Sequence, residues 1–227
     1  MEKTNSQLPD GVFAATLTPL TKDLSIDHYS LILHMKGLLA NGCDGIGFMG
    51  TTGEATSFSV SERIKALEAV LGAGIAPRKL LVGTGCAAFS DAVALTFHAV
   101  RCGVGGVLVL PPFYYKGVSD EGLFRYYAEI IERTSDPGIR IYLYHFPKMT
   151  ALPLSEQLIG RLLKAFPGIV AGIKDSGGDW NNMKLLTERF PGFRVYAGTE
   201  RFLLDILQTG GPGCISATTN ITSPMAA

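Results

Sequence analysis

A chain of 227 residues, 47% apolar and 18% charged, is long enough for one sizeable core and too apolar for a disordered polymer. Lys plus Arg and Asp plus Glu both number 20, so the formal net charge is zero; this excludes a global basic footprint for nucleic acid or an anionic membrane, and an anionic substrate would need a local site. No apolar run reaches the ~18 residues that span a bilayer, and residues 1–10 lack the apolar core of a leader, so the expected location is the cytoplasm.

The first apolar run, 12–18, reads as a strand, and 27–40 as a helix begun by Asp27 and ended by Gly42. Cys43 follows; it and Cys86, Cys102 and Cys214 are widely spaced, with no CxxC and no Cys/His cluster. They read as buried free thiols, and neither disulfide nor metal is expected. The second strand, 45–49, runs into Gly50-Thr51-Thr52-Gly53-Glu54. Glycines let backbone N–H groups turn toward a ligand, and two adjacent hydroxyls suit a carboxylate and a proton relay; an ordinary glycine turn is the alternative. The same stretch, Gly45 to Gly50, fits GxGxxG. Its glycines overlap the strand instead of opening a helix, and the third strand, 79–83, ends without the acidic residue that a dinucleotide fold needs, so that reading is rejected.

Helical patterns cover 61–72, from Ser61, and 91–102, from Ser90 to Gly103. The fourth strand, 106–110, ends in Leu110-Pro111-Pro112-Phe113-Tyr114-Tyr115, an aromatic loop suited to a pocket lid, a subunit contact or plain packing. After a helix at 121–133 comes the fifth strand, 140–146. Alternation puts Tyr142 and Tyr144 on one face and His145 on the other. An inward Tyr144 would bring its hydroxyl to the rim, and His145 would face the helices as a satisfied core histidine.

A helix at 155–165, begun by Ser155, leads to the sixth strand, 169–174, and Gly172-Ile173-Lys174-Asp175-Ser176. A lysine closing an apolar run is unusual. Desolvation favours the neutral amine, which attacks a ketone; the imine is then an electron sink that needs no metal and no pyridoxal cofactor. The alternative is a lysine reaching past the strand to solvent. A helix at 181–190, a strand at 193–197 ending in Gly198-Thr199-Glu200-Arg201, a helix at 200–208 and a strand at 213–217 complete the pattern. Thr209-Gly210-Gly211-Pro212-Gly213 precedes the last strand and reads as a turn at the opposite rim. Strands alternating with helices in this way predict a parallel (β/α)8 barrel in one domain, 1–227, with an open doubly wound sheet as rival. Only about ten residues follow the eighth strand, so the barrel is expected to lack its last helix.

With GTTGE, the Phe-Tyr-Tyr loop, YHFP and GIKDS in this order, the sequence resembles the dihydrodipicolinate synthase/N-acetylneuraminate lyase family from about Val12 to Asn220. The resemblance implies a class I aldolase or lyase joining or splitting pyruvate, or another 2-oxo acid, and an aldehyde, without a cofactor. It implies Lys174 as the Schiff-base lysine and Tyr144 as the tyrosine that moves protons. Gly50, Thr51 and Thr52 would hold the 2-oxo acid carboxylate, with Thr51 in a relay that Tyr115 of a neighbouring subunit completes. Ile215 would line the pyruvate site with its backbone, and Thr199 and Glu200 would offer polar contacts. A homo-oligomer, dimer or tetramer, is implied. Family members continue past the eighth strand with a last barrel helix and a small helical region, which this chain is expected to lack.

Two departures stand out. Dihydrodipicolinate synthases carry an arginine five residues after the strand-five tyrosine, where this chain has Met149, which makes no bidentate carboxylate contact. Lys148 is adjacent, but a side chain one position away points elsewhere. Sialic acid lyases have a serine on strand eight where Ala217 stands. A second substrate different from that of lysine biosynthesis is therefore expected. The alternatives are a sugar-acid dehydratase using the same imine and a non-catalytic 2-oxo acid binding protein.

Overall fold

Short runs of Val, Ile, Leu, Ala and Gly, apolar on both faces, are stable only when both faces are covered. Here eight of them pair in parallel: β1 (Gly11–Ala15), β2 (Gly45–Phe48), β3 (Leu80–Gly83), β4 (Gly106–Val109), β5 (Ile141–His145), β6 (Val170–Asp175), β7 (Arg194–Ala197) and β8 (Gly213–Ser216). β1 also pairs with β8, which closes the barrel and removes the open-sheet rival. This computed structural model describes residues 8–226; the start of the chain up to Gln7, part of the segment read above for a leader, lies outside them.

The barrel interior is filled by Phe13, Leu81, Leu108, Tyr142, Tyr144, Tyr196 and Ile215. Tyr142 fits because its neighbours on β4 and β6 are glycines: a Cβ at Gly106 or Gly172 would lie 2.6 or 2.8 Å from its ring. The opposite faces of the strands pack against helices α1 (His28–Ala40), α2 (Val60–Gly72), α3 (Phe89–Arg101), α4 (Asp120–Thr134), α6 (Glu156–Ala165), α7 (Trp180–Arg189) and α8 (Leu203–Gln208), while the short α5 (Pro147–Thr150) lies at the rim after β5.

Asp27 and Ser155 cap α1 and α6 as expected. α2 starts earlier than expected, because Ser59 and Glu62 form a reciprocal capping box and Ser61 falls inside the first turn. α3 likewise begins at Phe89, with Ser90 inside it. The four-residue α5 was not expected at all. Cys43 and Cys214 are buried and Cys86 and Cys102 half-buried, all of them free.

The expected absence of a last helix is overturned. β8 is followed by α9 (Thr219–Ala226), which gives the barrel its full set of helices. The segment is a poor helix former, with three β-branched residues and Pro224 inside the helix. Tertiary contacts hold it. Asn220 donates to the Ala15 carbonyl (2.8 Å) and accepts from the Leu17 N–H (3.3 Å), and Thr222 donates to Glu200 (2.7 Å). Among the described residues no helix is long and apolar enough to cross a membrane.

Candidate active site

Parallel barrel strands deliver their last residues to one rim. On β5 and β6 the register sets Tyr144 opposite Lys174. Both are inward and buried, at 3% and 5% exposure. Lys174 Nζ stands 4.8 Å from the Tyr144 ring centroid, and Phe146 stacks on Tyr144 at 5.7 Å. No carboxylate lies within ion-pairing distance of Lys174 among the described residues. An amine so placed is held beside a phenol and away from solvent.

The Tyr144 hydroxyl lies 3.4 Å from Thr51 Oγ1, the outer limit of a hydrogen bond. Thr51 sits in the glycine loop after β2, which Met49 and Glu54 bracket with φ of +52° and +53°. Left-handed backbone at non-glycine residues costs ~1–3 kcal/mol and recurs at functional sites. The Ala55 N–H donates to the Gly50 carbonyl (3.2 Å) and the Thr18 hydroxyl to the Gly53 carbonyl (2.7 Å), so the loop is braced at both ends.

An open cleft of about 390 Å³ contains Lys174, Tyr144, Thr51, Thr52 and Thr199 in its wall. Phe146, Lys148, Asp175, Ser176, Ala217 and the glycines Gly178 and Gly198 complete it. A second cavity, about 150 Å³ and mostly apolar, shares Thr51 and Tyr144 and is lined by Gly50, Leu110, Phe113 and Met149. Tyr144 and Thr51 thus form the partition between the two.

Other expected residues fall elsewhere. Ile215 is fully buried in the inner barrel cluster that contains Tyr144. Tyr115 is 73% exposed, edge-to-face with Tyr114 at 5.2 Å, and does not line the cleft of its own chain. Glu200 turns toward α9, where it accepts from Ser216 (2.5 Å), Thr218 and Thr222 (2.7 Å). Burial pushes its carboxyl up, but these three hydroxyls together outweigh burial and hold it below the ordinary value.

Lys148, set aside on the sequence, lines the cleft. Its segment is helical instead of extended, so Lys148 and Met149 turn into different cavities. Ser176 was quoted only as part of a motif and given no role. Cys214 lies close to Lys174, but burial pushes its thiol up to about 12 and keeps it protonated. Among the described residues no group of three or more His, Cys, Asp or Glu side chains is disposed to hold a metal ion.

The model of the dihydrodipicolinate synthetase family matches residues 8–227. The chain belongs to that family. It is 36% identical over 210 residues to an uncharacterised DapA-like lyase of Chloroflexus aurantiacus, an alignment covering 92% of this chain and 70% of the relative. The crystal structure of dihydrodipicolinate synthase from Agrobacterium tumefaciens is 36% identical and superposes with a TM-score of 0.91, over 95% of this chain and 75% of that one. A prophage protein of the dihydrodipicolinic acid synthase family from E. coli K12, solved with pyruvate, is 26% identical with a TM-score of 0.87, over 96% and 72% of the two chains. As a dihydrodipicolinate synthetase family member, this protein is a Schiff-base lyase or aldolase acting on pyruvate-like 2-oxo acids.

Proposed function

We propose that Lys174 is the imine-forming residue and that the cleft in front of it joins pyruvate to an aldehyde or splits the product. The observation that supports this most is the buried Lys174 amine beside the Tyr144 ring, with the phenol in reach of Thr51. The neutral amine adds to the ketone carbon, and loss of water leaves a protonated imine. This cation draws electrons from C3, whose proton leaves to give an enamine. The enamine carbon then attacks the aldehyde, and water releases the product and restores the amine.

Tyr144 is the group placed to pass protons to and from the carbinolamine oxygen. Thr51 accepts from it or donates to it, and Thr51, Thr52 and the Gly50 backbone hold the substrate carboxylate. Tyr115 lies outside its own cleft, so it completes the relay only from a second copy in a homodimer or homotetramer. Thr199 and the Ile215 backbone line the substrate's path; Glu200 acts at one remove, by fixing the β8–α9 turn. No metal or other cofactor takes part in this scheme. Residues 8–226 work as one domain, and the free thiols fit a reducing cytoplasm.

Met149 faces the apolar cavity and leaves no arginine in the cleft, so the aldehyde differs from that of dihydrodipicolinate synthases. Borohydride trapping with pyruvate, followed by peptide mass spectrometry, tests the assignment. A reduced pyruvyl adduct on Lys174 is expected; an adduct on another lysine, or none on folded protein, overturns it.

A further inference from the structure

Behind the Tyr144–Lys174 rung lies a second one. The next register pair, His145 and Asp175, alternates to the other side of the two strands, and Asp175 also borders the cleft. Both side chains are buried, at 8% and 1% exposure.

His145 Nδ1 accepts the backbone N–H of Leu154 at 3.1 Å. A backbone N–H only donates, so Nδ1 carries no proton, and the imidazole proton sits on Nε2. Nε2 points toward Gly177: a Cβ built there would lie 3.1 Å from it and 3.0 Å from Asp175 Oδ1. A glycine is therefore what lets the loop pass between imidazole and carboxylate. Asp175 accepts the Gly177 N–H (2.8 Å) on one oxygen and the Asn182 amide (2.7 Å) on the other.

The two side chains thus hold the two loops that wall the cleft. His145 ties down Leu154, at the far end of the β5–α6 connection whose Phe146 and Lys148 line the cleft, and Asp175 ties down the turn that carries Ser176 and Gly178. The backbone of the same rung is fixed as well, by Ser176 N–H to the His145 carbonyl (2.8 Å) and Gly198 N–H to the Asp175 carbonyl (2.7 Å).

We propose that His145 and Asp175 are a positioning pair for the imine chemistry, and that the neutral, Nε2-protonated form of His145 is required to hold Tyr144 and Lys174 in their working geometry. The proposal rests on the assignment of Lys174 and Tyr144 above. A second proton on the ring would go to Nδ1, set it donor-to-donor against Leu154, and release the loop. Asp175 on β6 is the charged group that faces His145, and Asp179, the N-cap of α7, faces Asp175 in turn. Burial pushes the His145 pKa down while the Asp175 charge pushes it up, with burial the larger influence. Burial likewise pushes Asp175 up against the pull of His145 and the two hydrogen-bond donors. The folded protein therefore keeps the ring neutral down to a pH below the ordinary histidine value, and activity falls as the pH drops through that lowered pKa.

Exchange of the pyruvate methyl protons with deuterium reads enamine formation without any aldehyde. It should be followed by NMR from pH 5 to 9 in the wild type, His145→Asn and His145→Leu. Asparagine retains an acceptor for the Leu154 N–H and does not titrate. It should keep neutral-pH exchange within about threefold and lose the acid limb of the wild type. Leucine offers no acceptor, and misplacing the site should slow exchange by about 10²-fold, while borohydride still traps pyruvate on Lys174. An acid limb unchanged in His145→Asn, or wild-type exchange in His145→Leu, overturns the pair. If His145→Leu does not fold, the profile of His145→Asn decides alone. An unaltered wild-type adduct on Lys174 in those cases leaves the Lys174 assignment standing; absence of the adduct in the wild type removes both.

Discussion

Replacing Glu200 by Ala should release α9 from the barrel. Ser216, Thr218 and Thr222 each donate to the carboxylate, and Thr219 stands at 3.4 Å, at the edge of a bond. A hydrogen bond to a charged acceptor contributes ~1.5–3 kcal/mol when buried, but Glu200 is half-buried and water competes. Ser216 lies on β8 and Thr218 before the helix, so opening α9 itself breaks one firm bond, that of Thr222, at about 1–1.5 kcal/mol. Since 1.4 kcal/mol is tenfold, local opening of α9 should become about 10-fold more frequent. Amide hydrogen exchange of residues 219–226, read by mass spectrometry at pH 7, measures this directly. Glu200→Gln should fall between wild type and Ala, since it keeps the shape and loses the charge. The pH dependence has a definite sign. The folded carboxyl titrates below its ordinary value of 4.5, so its contribution is complete above that pH and disappears as pH falls through the folded value. Wild type and Glu200→Ala should therefore converge in strong acid. Equal α9 exchange in the two proteins at pH 7 would refute the reasoning and leave α9 held by Asn220 and packing.

Lys174→Ala should abolish the borohydride adduct while leaving the fold intact by circular dichroism, and Tyr144→Phe should slow pyruvate methyl exchange by ~10²-fold or more; unchanged rates would remove each from the mechanism. The buried Tyr142 hydroxyl makes no hydrogen bond of good geometry among the described residues, with the Arg194 guanidinium its nearby donor, so Tyr142→Phe should change stability by no more than about 1 kcal/mol; a larger loss in thermal melting would show that Arg194 satisfies the hydroxyl in solution. Burial pushes Cys43 up to about 11 and Cys214 up to about 12, leaving ~10⁻³ or less as thiolate at pH 8. A disulfide reagent should label neither until the protein unfolds, and rapid labelling of Cys214 in native protein would contradict its burial between the strands and the helices.

How much of this was legible in the residues differs from element to element. A strand buried on both faces must be an apolar run, and its side chains must alternate. That period placed Tyr142 and Tyr144 on one face and His145 on the other, and the apolar run put Lys174 at a strand end; the barrel core then showed the tyrosine face to be the inner one. Helix starts were less secure: a serine signals a cap, but Ser59 outcompetes Ser61 because only Ser59 has Glu62 three residues on.

The sequence determined by itself the order of the eight strands, the alternation with helices that predicts a parallel barrel, and the strand ends that carry Lys174, Tyr144 and Thr51, because these follow from short-range periodicity; the β1–β8 pairing that closes the barrel was decided by the tertiary structure. Only the tertiary structure decided that α9 forms, since its residues disfavour a helix and Glu200 and Asn220 hold it from elsewhere in the chain. Only the tertiary structure turned Lys148 into the cleft, put Tyr115 outside it, and set His145 and Asp175 on adjoining strands with Gly177 between them. Each of those depends on contacts between residues distant in sequence or on the local backbone the fold imposes, and neither leaves a period in the sequence to read.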